Sequence, residues 1–276
     1  MRQPIAAIAC SSVMDLQLTG KLALITGSTA GIGYAIAAAL AREGAVVIVN
    51  GRTQSAVDAA VAKLESAAEG KVRGFAGDLS TGAAADAVAR QFPDVEILVN
   101  NLGIFESKPF EEIPDADWRR LFEVNVLSGV RLARLYLAGM KRRNWGRIIF
   151  ISSESAIQIP VEMIHYGMTK TAQLAVARGL AEAVAGTGIT VNSILPGPTR
   201  SRGVVDFVDA LAKAEGTSIA QIEQDFFKKV RPTSLIKRFA TPEEVASLVA
   251  YVASPLAAAT TGAALRVDGG VIKSAI

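Results

Sequence analysis

The chain has 276 residues but only one cysteine, Cys10, and one histidine, His165. A lone cysteine excludes an internal disulfide. One cysteine with one histidine argues against a zinc site built on thiolate and imidazole ligands, so no metal is expected. Aromatic residues are scarce, at 6%. Charge of one sign is scarce too, with a formal excess of only +3 and the basic residues dispersed. Their one tight cluster, Lys141, Arg142 and Arg143, falls where a helix should end. Cations there complement the helix dipole. With no nucleic-acid reading module in the chain, no nucleic-acid partner is expected. No apolar run reaches membrane-spanning length, so no membrane partner is expected and the expected location is cytoplasmic. Residues 1–13 carry a short apolar patch broken by Pro4. It is too short for a secretion signal and reads as a disordered extension, or as sequence ahead of a natural start at Met14.

What is abundant is small and apolar. Hydrophobic residues make up 50% of the chain, much of it Ala, Val and Ile, and Gly is plentiful. Such residues let helices pack closely on a buried sheet. Strand-like runs at 22–26, 46–50, 72–76, 96–100, 147–151, 190–195 and 264–267 alternate with helical stretches. The helices are expected at 32–42, 55–68, 83–91, 115–124, 126–143, 163–185 and 241–253. The last opens on Thr241-Pro242-Glu243-Glu244, a cap with proline at the first helical position. Apolar strands between helices predict an α/β, doubly wound, parallel seven-stranded sheet, a Rossmann fold, in a single domain over 14–276. Ligands of such sheets bind at the carboxyl ends of the strands. Residues 198–240 break the rhythm and are expected to be an insertion that covers a substrate.

The first strand runs into Thr26-Gly27-Ser28-Thr29-Ala30-Gly31-Ile32-Gly33 and then a helix. Glycines in that place allow a tight turn and bring backbone close to a pyrophosphate at the helix N-terminus. Gly27, Ser28, Thr29, Gly31, Ile32 and Gly33 are therefore candidate cofactor contacts. The second strand ends in Asn50-Gly51-Arg52, where NAD-binding chains place an acid for the ribose hydroxyls. An arginine pairs with a 2′-phosphate that an acid would repel, so Arg52 favours NADP(H) over NAD(H), unless it is a solvated surface residue. Asp78, followed by Leu79, can accept from an adenine amino group, or can cap the next helix in competition with Ser80. Asn101 and Gly103, in Asn100-Asn101-Leu102-Gly103, should carry backbone along the cofactor.

Tyr166 and Lys170 stand four apart on a predicted helix, hence on one face. A phenol of ordinary pKa near 10 is a poor acid–base catalyst. An ammonium about 4 Å away stabilises the phenolate by roughly 4 kcal/mol at an effective dielectric near 20, or about 3 pKa units. That would bring Tyr166 toward neutrality. The pair alone is common by chance, and the surrounding motifs give it meaning.

The ordered array of the glycine-rich loop, Asn101 and Gly103, Asn125 after a helix, Ser152-Ser153 after a strand, Tyr166 with Lys170, and Pro196-Gly197 resembles the short-chain dehydrogenase/reductase family over about residues 14–272. The resemblance implies an oxidoreductase that moves a hydride between NADP(H) and a carbonyl or alcohol, a 3-oxoacyl carrier-protein reductase being one possibility. An alternative of another class is a catalytically silent NADP(H)-binding sensor. By the resemblance Tyr166 is the general acid or base, and Lys170 lowers its pKa and binds the nicotinamide ribose. Ser153 orients the substrate, with Ser155 its rival, and Asn125 holds a relay water with the lysine. Pro196 and Gly197 flank the nicotinamide, with Thr199 and Ser201 contacting carboxamide and phosphate. Two positions depart from the family pattern: Leu102 stands where alanine is usual, and Ala30 where many NADP-preferring members carry a basic residue. His165 should point away from the relay, Trp118 and Trp145 read as structural, and Glu154 and Glu162 flank the expected mouth. A homo-oligomer, tetramer or dimer, is implied through the long helices at 115–143 and 163–185 and the C-terminal strand.

Overall fold

The computed structural model describes residues 14–66, 71–201, 204–205, 212–213 and 216–275. The expected extension at 1–13 and parts of the 198–240 insertion lie outside the described residues. Seven strands form one sheet: β1 (Leu22–Ile25), β2 (Val46–Gly51), β3 (Val72–Ala76), β4 (Ile97–Asn100), β5 (Gly146–Ile151), β6 (Ile189–Pro196) and β7 (Ala264–Val267). Their order is β3-β2-β1-β4-β5-β6-β7, with every neighbouring pair parallel. The order reverses between β1 and β4, which opens a crevice at their carboxyl ends.

Runs such as Val46-Val47-Ile48-Val49 and Ile148-Ile149-Phe150-Ile151 form strands because β-branched side chains fit a pleated surface covered on both faces. One face packs against α1 (Gly31–Arg42), with Ile36 and Leu40 buried beside Val245 and Val249. The other packs against α3 (Gly82–Gln91), whose Val88 is buried with Leu132, Tyr136 and Ala177. Between them in sequence lies α2 (Gln54–Glu65), capped by Thr53.

The helices expected at 115–124 and 126–143 are joined. Helix α4 (Asp115–Phe122) passes through a π-helical turn, Glu123–Leu127, into α5 (Ser128–Arg143). The extra residue of a π turn is absorbed as a bulge rather than a break, so Asn125 stays inside the helix and is turned toward the core. Helix α6 spans Ile164–Ala183. The described part of the 198–240 region includes α7 (Ile219–Asp225) and a second π turn, Phe226–Val230. It is held by a small cluster of Phe226, Phe227 and Phe239, with ring centroids 5.0–5.1 Å apart. Helix α8 (Pro242–Ala253) carries the expected cap: Glu244 N–H donates to Thr241 Oγ1 at 3.2 Å and Glu244 Oε2 accepts from Thr241 N–H at 2.8 Å.

Candidate active site

The crevice begins with the glycine-rich loop between β1 and α1. Gly27 and Gly31 have φ of +60° and +58°, a region that suits glycine. A Cβ on Gly33 would lie 2.5 Å from both Gly27 O and Asn101 Nδ2. Ala30 precedes α1 and offers no side-chain cap, so the first helical amides are left for a ligand. Asn50, a polar residue closing an apolar strand, organises this loop and escaped sequence reasoning. Its Oδ1 accepts from Gly27 N–H at 3.0 Å, and its Nδ2 donates to Phe75 O and Gly77 O at 3.2 and 3.0 Å. Ser28 is buried with its hydroxyl spent inside the protein. It donates to Ile25 O at 2.7 Å and accepts from Asn50 N–H at 2.9 Å, and its own N–H donates to Asn50 O at 2.8 Å, so neither its hydroxyl nor its amide is left for a ligand. Thr29 lays its methyl against Gly51, where an added Cβ would be 2.5 Å from it. These close approaches are what a backbone cradle for a dinucleotide requires, and the residues present fit such a group.

Arg52 is exposed beyond β2, with no hydrogen bond or ion pair among the described residues. Asp78 is exposed and accepts from Ser80 N–H and Oγ–H at 3.0 and 2.7 Å. The cap of α3 is neither of these residues but Thr81, whose Oγ1 accepts from Ala84 N–H at 3.3 Å. Leu79 is buried in the core, so a ligand can meet only its backbone. Asn101 ties the loops together, its Nδ2 donating to Thr26 O and Gly27 O at 2.9 and 3.0 Å. Leu102, the larger residue, packs against the core cluster beneath the crevice. Pro196 ends β6, and Gly197 lies so close to Asp268 that a Cβ would be 2.5 Å from its carbonyl oxygen. Thr199 is buried and donates to Gly197 O at 2.9 Å. Ser201 reaches the glycine loop, its Cβ 3.6 Å from where Gly31 would carry one.

The carboxyl end of β5 and the first turns of α6 bring Ser153, Tyr166 and Lys170 together. Tyr166 is half-buried, with Phe105 edge-on at 6.2 Å and the Ser153 hydroxyl within hydrogen-bond reach. Lys170 Nζ lies 5.5 Å from the centre of the Tyr166 ring and donates to Ile151 O at 2.9 Å. A Cβ on Gly103 would sit 3.3 Å from that amine. Burial lowers the Lys170 pKa to about 8. The Tyr166 phenol is pushed up to about 12, by burial first; the Ser153 hydrogen bond lowers it, Glu154 raises it and Arg231 lowers it. The expected drop toward neutrality is thus not met in the protein alone. Removing the phenolate from water outweighs the attraction, and the amine directs a hydrogen bond at Ile151 O.

Asn125 is buried, and its side chain is spent on protein. Nδ2 donates to Ile104 O and Thr169 Oγ1, both at 2.9 Å, while Oδ1 accepts from Ile104 N–H at 2.8 Å. A relay water would have to meet its backbone carbonyl, which Gln173 Nε2 also reaches at 2.6 Å. Ser152 anchors α6 by donating to Lys170 O at 2.9 Å. Ser155 supports its rival, its N–H donating to Ser153 Oγ at 3.1 Å. His165 is wholly buried, edge-on to Trp118 at 5.8 Å, about 100° around the helix from Tyr166. Glu162 lines an open cleft of about 380 Å³ with Gln158, Ile159 and Arg231. Among the described residues, no helix is long and apolar enough to cross a membrane.

The family model described as short chain dehydrogenase matches residues 21–211. The uncharacterized oxidoreductase YvaG of Bacillus subtilis (strain 168) is 48% identical, over 95% of this chain and 99% of its own. A structure of L-sorbose reductase from Gluconobacter frateurii with NADPH and L-sorbose superposes with a TM-score of 0.90 at 34% identity, covering 95% of this chain and 100% of the other. A 7α-hydroxysteroid dehydrogenase with NADH and 7-oxo glycochenodeoxycholic acid is similar at a TM-score of 0.81 and 30% identity, covering 94% of this chain and 97% of the other.

Proposed function

The chain belongs to the short-chain dehydrogenase/reductase family, and from that premise we propose that it moves a hydride between NADP(H) and a carbonyl or alcohol, with Tyr166 as general acid and base. The observation that carries this reading is the meeting of Ser153, Tyr166 and Lys170 beside the backbone cradle of Gly27, Gly33 and Gly103. The nicotinamide, when bound, supplies or accepts the hydride. The first amides of α1 would hold the pyrophosphate, with Ser201, which lies beside Gly31, as a further contact. Arg52 would pair with the 2′-phosphate, Asp78 would accept from the adenine amino group, and only the backbone of Leu79 could meet it. Lys170 would bind the nicotinamide ribose, and Pro196, Gly197 and Thr199 would hold the carboxamide.

At the reacting centre Tyr166 gives its phenolic proton to the carbonyl oxygen during reduction and takes it back during oxidation. Ser153 positions that oxygen, and Asn125 holds the 103–105 backbone so that Gly103 stays against Lys170. The 198–240 segment covers the substrate. Subunits associate as a dimer or tetramer through α4–α5, α6 and the open edge at β7. The half-exposed Phe122 and Leu135 on the first of these faces support that association. Light scattering measures the assembly.

The reaction is tested by a panel of ketoses, 3-oxoacyl thioesters and secondary alcohols, read by NADPH consumption and repeated with NADH. Turnover that is faster with NADPH and lost in Tyr166→Phe is expected. A Tyr166→Phe variant as active as the parent would sink the proposal.

A further inference from the structure

Glu154, next to Ser153, is a carboxylate inside the protein, with its side chain 5% exposed. Its two oxygens serve different partners. Oε1 accepts from Arg231 Nε at 2.9 Å, in an ion pair that links residues 77 apart. Oε2 accepts from the hydroxyls of Ser153 at 2.8 Å and Ser155 at 2.5 Å. An ionised carboxylate can only accept, so both serines must be donors. Ser153 has one proton, and in this arrangement that proton belongs to Glu154. Its remaining capacity is to accept, from Ser155 N–H at 3.1 Å, whereas the bond that lowers the Tyr166 pKa is one in which Ser153 donates to the phenolate, so the phenolate and Glu154 compete for the same proton. A serine that orients a carbonyl oxygen must instead donate to it. Releasing the proton from a carboxylate is harder than releasing it from a neutral acceptor, because charge-assisted hydrogen bonds are the stronger ones.

Arg231 changes that balance. It stands just after the π turn Phe226–Val230, and its N–H donates to Phe226 O at 2.9 Å. Its side chain is 11% exposed, so its charge is poorly screened where it meets Glu154. Of the charged groups facing the phenol, Lys170 comes from its own helix, Glu154 from the loop after β5 and Arg231 from the segment after α7. The 101–106 segment contributes the apolar ring of Phe105.

We propose that Arg231 is a positioning residue that acts through Glu154: by neutralising the carboxylate it weakens the hold on the Ser153 proton, so that the hydroxyl can turn toward a substrate, and it offsets the Glu154 charge that faces Tyr166. This rests on the reading of Ser153 and Tyr166 given above. With Arg231 away, Glu154 holds the Ser153 proton and its unbalanced charge disfavours the phenolate. With Arg231 docked, both effects are offset.

The test uses Arg231→Gln, Arg231→Lys, Glu154→Gln and the Glu154→Gln/Arg231→Gln double variant, with thermal melts to establish folding and NADPH titration to establish cofactor binding. Arg231→Gln is expected to lower kcat for carbonyl reduction roughly tenfold, the scale of one charge-assisted hydrogen bond, with little change in NADPH affinity. Its pH profile for alcohol oxidation should move up by about one unit. Arg231→Lys should recover most of both. The double variant, which keeps the packing but has no charge to balance, should return the pH profile toward the parent. A rise in KM alone, with kcat and the profile unmoved, would overturn the inference in favour of a plain substrate contact. So would a double variant no better than Arg231→Gln. Tyr166→Phe run in parallel separates the two readings. Lost turnover there, with Arg231→Gln unchanged, sinks this inference alone; retained turnover sinks the proposed function and this inference with it.

Discussion

Replacing Gly33 by alanine tests the geometry of the cofactor cradle. The added methyl would lie 2.5 Å from Gly27 O and Asn101 Nδ2, and 3.0 Å from Ser28 Cα. None of these can simply swing away. Two are backbone atoms, and the amide is fixed by hydrogen bonds to Thr26 O and Gly27 O at 2.9 and 3.0 Å. Either α1 retreats from the loop or Asn101 gives up its bonds. Overpacking of this kind costs about 1–3 kcal/mol, and each lost hydrogen bond adds about 1 kcal/mol. Alanine returns about 1 kcal/mol through its better helix propensity. The net is a loss of roughly 2–4 kcal/mol, or a fall in Tm of about 5–15 °C for a chain of this size. Gly20→Ala is the control, because Gly20 has φ +77° but nothing within 4 Å of an added Cβ. It should lose only the left-handed strain of about 1–2 kcal/mol. Calorimetry of the free proteins and NADPH titration by fluorescence read both effects. Gly33→Ala should bind NADPH at least tenfold more weakly than Gly20→Ala. If Gly33→Ala melts with the parent and binds as tightly, the contact between α1, Gly27 and Asn101 is not as described.

Arg52→Glu puts a carboxylate where a 2′-phosphate is expected; the ratio of kcat/KM for NADPH over NADH should fall by about a hundredfold, and an unchanged ratio would remove Arg52 from the site. Lys170→Met should abolish turnover yet stabilise the free protein at pH 7. The Lys170 pKa drops from 10.5 to about 8 on folding, so below pH 8 both states are protonated and the cost of burying the charge, about 3 kcal/mol, is present in full. Between pH 8 and 10.5 the unfolded chain binds more protons, the parent gains stability with rising pH, and the advantage of Met fades; urea melts at pH 7 and 10 that show the same difference would contradict this. Asn125→Ala removes both bonds to Ile104 and should raise the KM for cofactor severalfold through a loosened 103–105 backbone, while Thr169→Val, which loses one bond of the same set, should raise it less.

The sheet was legible because its strands are short, apolar and β-branched, and because helices of matching length separate them. The glycine loop was legible because a tight turn leaves glycines in a strand–loop–helix context. The π turn at Asn125 was not, since Glu123-Val124-Asn125-Val126-Leu127 contains no glycine or proline to mark it. The bulge is set by what the turn packs against, with Ile104, Thr169 and Gln173 all bonding to Asn125. Asn50 carried a readable signal, a polar side chain at the end of a buried strand, although its partners Phe75 on β3 and Gly77 just beyond it could not be named from spacing. Glu154 could be placed near the mouth by its neighbour Ser153. Its burial and its pairing with Arg231 depend on how the 198–240 region folds back, which periodicity does not encode.

The acidity of Tyr166 shows why a residue pair cannot be read by Coulomb's law alone. Spacing on a helix gives an attraction between phenolate and ammonium but says nothing of the water each must lose. In the folded protein both groups move toward their neutral forms, Tyr166 to about 12 and Lys170 to about 8. A phenol of that kind is fully protonated near pH 7, so it is prepared as a donor for carbonyl reduction and is a poor acceptor for alcohol oxidation. The two directions should therefore differ in pH dependence. Reduction should be nearly flat from pH 6 to 8, because the acid form is already complete. Oxidation needs the phenolate and should rise up to tenfold per pH unit over pH 7 to 9, unless a charge bound at the site brings the pKa within range. Initial rates in both directions on one alcohol–carbonyl pair, corrected for the proton in the overall equilibrium, measure this. An oxidation rate already level at pH 7 would mean that binding lowers the phenol by about five units, more than one nearby charge supplies in a site of effective dielectric near 20.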